Sequence, residues 1–303
     1  MIDDGRGLRV SVLLRAQYVL LVYAVRLVVA AIAAYPACAI ATKTTGGWPG
    51  GDRVLFEPGS LMLMELVRLH RVGLQAWLTQ AALVSVLMIP IGIALNAVLL
   101  SALASPPSAG ASRVSARAVA SLRPLSIVWA VYAAVAASTG GLFYLLAEAL
   151  QGSSSSAQSA PLRDMLWLAA VAVGALVVLA AGVVHDVARA AVVRGGLDAA
   201  GALLVAWRSV RSFCWPLLAA WWARAAAGAL LVIVELWLLR SAGWLTASGA
   251  IWSFVMHQLI LLGLVWLRAS WLARAMEVTA PLVDSERSAM RVSGSEPEAL
   301  EEP

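Results

Sequence analysis

Residues 76–104 read AWLTQAALVSVLMIPIGIALNAVLLSALA, a run without a single Asp, Glu, Lys or Arg. About twenty apolar residues in a helix cross the hydrocarbon core of a bilayer, so this stretch is long enough to span. Five more stretches, at about 18–41, 124–149, 163–184, 216–239 and 249–272, share its character. The predicted fold class is therefore all-α: a polytopic transmembrane helical bundle of about six spans with short amphipathic interfacial helices. Residues 1–283 form one transmembrane domain. The acidic stretch 284–303 is too poor in apolar residues to bury a core and is expected to be disordered.

Composition supports the same class. The chain is 61% hydrophobic and 13% charged, where a soluble domain carries about 25% charged residues. The first apolar run continues past Arg26 to Ala41. A secretory signal core is only 7–15 residues long, so a retained first span is expected. Lys43 is the one lysine in a chain whose other basic residues are arginines. Together with abundant Ala and Val, this points to a GC-rich bacterial genome. Cys38 and Cys214 fall on opposite sides of the predicted membrane, too far apart for a disulfide, and read as two buried apolar thiols.

Charge placement sets the orientation. Segments 1–15, 105–123 and 185–215 share one side if there are six spans. They hold Arg6, Arg9, Arg15, Arg113, Arg117, Arg123, Arg189, Arg194, Arg208 and Arg211, and Arg274 follows the last span. The other side holds Lys43, Arg53, Arg68, Arg71, Arg163 and Arg240. The positive-inside rule puts both termini in the cytoplasm of a bacterial inner membrane. The segment 60–73, a short helix with Arg68 and Arg71, would then lie outside.

Three segments repeat a pattern of basic amphipathic helix, breaker and span, at 60–104, 113–149 and 199–239. The breakers are Gly73, Pro124 and Pro216, and Pro suits the first turn of a helix. Each unit is expected to be an L, with one arm in the headgroup layer. In 199–213, Leu203, Trp207 and Val210 share one face and Arg208 and Arg211 another. A break is expected at Gly195-Gly196.

Ionisable groups inside hydrocarbon face the bundle interior or a partner. The candidates are Arg26, Arg224, Glu235 and His257. The fifth and sixth spans join through a short turn, so Glu235 and His257 lie at similar depth and can pair. Arg26 and Arg224 are expected to snorkel to the headgroups. Asp186 and Arg189 are one helical turn apart and suit a helix-end ion pair. Trp48, Trp77, Trp167, Trp215, Trp244 and Trp271 fall near span boundaries, as in an aromatic belt.

No G-x-x-x-x-G-K-[ST] loop, H-E-x-x-H or G-x-S-x-G occurs, and no Cys/His cluster has metal spacing. No catalytic residue, cofactor or metal is assigned. The expected partners are membrane lipids, with a membrane-protein partner or homo-oligomer possible; nucleic acid is not expected, because no soluble basic domain exists. Arg113, Arg117, Arg189, Arg208 and Arg211 are the candidate lipid or partner contacts. The leading expectation is a non-enzymatic scaffold or accessory subunit. The alternative is a transporter or channel-like subunit with Glu235 and His257 lining the path.

The Gly/Pro loop before Leu61, Asp-x-Ala-Arg at 186–189, and Ala-Trp-Arg at 206–208 before a Pro-started span carry a resemblance. Over most of residues 10–275 the chain resembles bacterial six-span integral membrane proteins, including the membrane domain of some glycerophosphodiester phosphodiesterases. The resemblance implies a multi-span protein without assigned catalysis. The catalytic phosphodiesterase domain of those enzymes has no counterpart here, so their activity does not carry over.

Overall fold

The computed structural model describes residues 15–45, 67–106, 108–152, 160–241 and 247–293. These residues are helical almost throughout, with no strand among them. The long helices are α1 (Ala16–Thr45), α2 (Arg71–Ala104), α3 (Ala111–Gly152), α4 (Ala160–Gly195), α5 (Ala199–Ser212), α6 (Cys214–Ser241) and α7 (Ala247–Ser293). All but α5 are long and apolar enough to cross a membrane, giving six candidate spans. Their most apolar windows are only 11% to 17% buried within the protein. Side chains such as Tyr35, Leu87, Leu145, Leu179 and Ile233 stand out from the helices. Soluble monomers rarely expose contiguous apolar surface above a few hundred Å². Lipid is the solvent that makes such faces stable, and the chain is a multi-pass membrane protein.

The chain forms two compact units. The first comprises Met1–Arg15, Asn96–Arg224 and Ala269–Pro303. Helix α4 is its centre. Val183 and residues 185–193 are all buried, with α3 and α5 packed on it. The register between α3 and α4 is antiparallel, since Tyr132 meets His185 while Phe143 lies against Gly174. Between α4 and α7 it is parallel: Asp186 meets Trp271, Arg194 meets Met276, and Gly195 meets Val283. Parallel α4 and α7 fit two crossings in the same sense, with α5 not crossing. Arg15 donates to the carbonyls of Ser105 and Pro106, and Arg117 to that of Ala104. Arg15, the α2–α3 connection and the start of α3 thus meet within this unit.

The second unit comprises Ala16–Leu95 and Ala225–Arg268. There α6 and α7 form an antiparallel hairpin. A Cβ on Gly228 would stand 3.2 Å from Leu264, and one on Gly263 3.2 Å from Leu231, so each leucine sits over the other helix's glycine. Tyr23 donates to Gln258 at 2.7 Å, and the Trp77 indole donates to the Ala33 carbonyl at 2.8 Å.

Several elements differ from the sequence reading. Pro124 does not open a helix; it lies inside continuous α3. Val114, Ala118, Ser121, Leu125 and Val128 form one buried stripe running through it. Their spacing of four and three keeps one face inward on both sides of the proline, and that burial outweighs the one hydrogen bond the ring removes. The 113–149 unit is therefore one continuous helix rather than two arms of an L. Helix α4 likewise continues past Val184 to Gly195, where the expected break does occur. Gly196 turns there at φ +65°, and Asp198 caps α5 by accepting from the Gly201 N–H at 2.9 Å.

In α5 the deeply buried face is Ala199, Ala202, Val205, Ala206 and Ser209. It is offset from Leu203, Trp207 and Val210, because alanines let α5 approach α4 closely. Pro216 does lie in the first turn of α6. Of the stretch 284–303, residues 284–293 continue helix α7, and residues 294–303 lie outside the described residues. Cys38 and Cys214 are exposed, not buried. Of segment 60–73, residues 60–66 lie outside the described residues, as do Trp48 and Trp244.

Candidate functional site: a buried ion pair beside an apolar groove

Three buried polar side chains of the first unit sit close together on α4, where it meets α3 and α7. His185, Asp186 and Arg189 are all buried, Asp186 to 2% exposure. One Asp186 oxygen takes the Arg189 guanidinium from the next turn. The other accepts the Trp271 indole N–H at 2.8 Å. A buried carboxylate needs both a counter-charge and hydrogen bonds on its remaining lone pairs, and Asp186 has each. The spacing of Asp186 and Arg189 was legible, but the pair is not at a helix end, since α4 runs on to Gly195. Arg189 consequently does not face lipid: its charge is spent inside the protein. Trp271, expected in an aromatic belt, is 2% exposed and belongs to this cluster.

The His185 ring stacks on Tyr132, with centroids 4.5 Å apart and planes 8° from parallel. Its Nδ1 is 4.0 Å from Asp186 Oδ1, beyond hydrogen-bond reach. This stacked pair borders a groove of about 390 Å³. Val128, Val131, Tyr132 and Val135 of α3 form one wall. Val177, Ala180, Ala181, Val184 and His185 of α4 form the second, and Leu203, Trp207 and Val210 of α5 the third. The three α5 residues that share a face in the sequence line this groove rather than the core.

Arg113, Arg117, Arg123, Arg208 and Arg211 are exposed on the same unit. Arg117 also donates to the Ala104 carbonyl at 2.9 Å, and Arg208 pairs with Glu286 at 3.3 Å.

In the second unit, Glu235 and His257 are in direct contact through Oε1 and Nδ1, the pairing expected from the short turn between their spans. Arg224, in the first unit, donates to Ser270 Oγ at 3.0 Å and to the Ala220 carbonyl at 2.8 Å, so it is held in its hairpin rather than free in the headgroups. Arg26 is exposed on its helix. Among the described residues, no three His, Cys, Asp or Glu side chains are grouped to hold a metal ion. Comparison with family models, curated proteins and solved structures gives no match.

Proposed function

We propose that the protein is a non-enzymatic scaffold of the bacterial inner membrane that gathers anionic lipid at its basic end, with both termini in the cytoplasm. The observation that supports this is the exposure of Arg113, Arg117, Arg123, Arg208 and Arg211 on one tightly packed unit, at the start of α3 and the end of α5. Guanidinium groups bind lipid phosphates in bidentate fashion, and a basic residue near an anionic leaflet gains roughly 1 kcal/mol. The test uses quenching of tryptophan fluorescence by brominated phosphatidylglycerol or phosphatidylcholine in reconstituted bilayers. The wild type prefers the anionic lipid. Arg208→Gln with Arg211→Gln lowers that preference by up to about tenfold, the two charges together contributing at most roughly 1.4 kcal/mol after the loss of Arg208 to Glu286. An unchanged preference contradicts the proposal.

The direct contact of Glu235 with His257 favours a second reading, a transporter or channel-like subunit. A carboxylate–imidazole pair inside a membrane span is a common proton-relay element. In that case liposomes carrying the protein pass protons or a solute, and Glu235→Gln abolishes the flux. Equal flux in the variant rules out a path through the pair.

A further inference from the structure

The groove between α3, α4 and α5 is suited to one occupant. Its walls are aliphatic apart from Tyr132, His185 and Trp207. It follows α4 from Val177 to His185, a length of about 12 Å at 1.5 Å per residue. A single leaflet of the hydrocarbon core is about 15 Å deep. On α3 it runs from Val128, near the start of the apolar span, to Val135, near its middle. Its length and position are thus those of an acyl chain in the leaflet nearest the arginines.

The third wall supplies the polar end. Trp207 and Val210 line the groove, and exposed Arg211 follows Trp207 by one helical turn. Residues four apart on a helix are neighbours. An indole at the wall with a guanidinium beside it matches the boundary between acyl chain and phosphate.

We propose that this groove holds one acyl chain of an anionic phospholipid, with the headgroup phosphate on Arg211. This rests on the scaffold reading above and makes it specific: a seated lipid, not only a charged surface. An apolar chain entering this space from the bilayer removes the mismatch of an open concavity between packed helices. The charge beside it selects lipids that carry a net negative headgroup.

The experiment uses the full chain in nanodiscs with phosphatidylglycerol bearing a diazirine near the middle of one acyl chain. After photolysis the adducts are mapped by peptide mass spectrometry. Adducts concentrate on the α3, α4 and α5 wall peptides, at least fivefold above the phosphatidylcholine probe. Ala181→Trp fills the groove and lowers them at least fivefold, while Leu179→Trp, on an exposed position of the same helix, leaves them unchanged. If Ala181→Trp does not fold, Val131→Phe carries the same expectation. Adducts spread evenly over the spans, undiminished in the filled groove, or equal for the two headgroups overturn the proposal. Undiminished adducts in Ala181→Trp, with the anionic preference still lost in the Arg208/Arg211 variant, overturn the seated lipid alone and leave the scaffold reading standing.

Discussion

Asp186 holds together helices that are far apart in sequence. Its carboxylate joins Arg189, three residues on, to Trp271, 85 residues on. Removing one partner of a buried ion pair leaves an uncompensated charge and costs about 3–5 kcal/mol. Asp186→Asn is therefore expected to lower stability by that amount in detergent melting or denaturant titration. Trp271→Phe keeps the ion pair but removes one hydrogen bond to a charged group, about 1.5–3 kcal/mol, and leaves part of a buried ring's volume unfilled, so it too is expected to destabilise. An Asp186→Asn protein as stable as the wild type would mean that the carboxylate is not confined. The local half of this cluster was readable from the sequence because spacing on a helix is a fixed geometry. The Trp271 half was not, because a tryptophan near the end of an apolar run looks the same whether it anchors in headgroups or donates to a buried acid. The same limit explains Arg189: an arginine just beyond a span reads as lipid-facing until the helix is known to continue around it. Glu235 and His257 were readable because a short turn fixes the register of the two spans it joins.

At the scale of elements, Pro124 shows how packing overrides a local signal. As the first residue of a helix it would be favourable, and replacement by Ala would lose a little unfolded-state restraint, about 0.4–1 kcal/mol. Inside α3 it instead removes a backbone hydrogen bond, a penalty of about 3 kcal/mol in an unconstrained helix interior. The two positions predict opposite signs. Pro124→Ala is expected to raise the melting temperature, and a fall would restore the broken, L-shaped unit. The buried stripe from Val114 to Val128 is present in the sequence at the right spacing. It is obscured there by the many alanines and by the arginines between its members. Gly195-Gly196 was legible because the demand is local: Gly196 adopts φ +65°, a conformation that side chains disfavour. The groove was not legible, since its walls come from three helices and valines facing a concavity look like valines facing lipid.

For the whole molecule, the six spans were written in hydropathy alone, because a bilayer demands long apolar runs regardless of what each helix touches. Less evident was how far the helices outrun the membrane. Helix α3, at 42 residues, is about 63 Å long, and α7, at 47 residues, about 70 Å, against a core of about 30 Å. At the start of α3 the excess carries Arg117, which with Arg15 meets Ser105. Even crossing number and a shared basic end are the central claim. It is tested most directly by accessibility of single cysteines, in a background with Cys38 and Cys214 replaced by Ser, to an impermeant maleimide. Ser112→Cys and Ser285→Cys are expected to react only after the cells are opened, while Ser156→Cys, between the third and fourth spans, reacts in intact cells. Ser112→Cys and Ser156→Cys reacting from the same side would contradict the account.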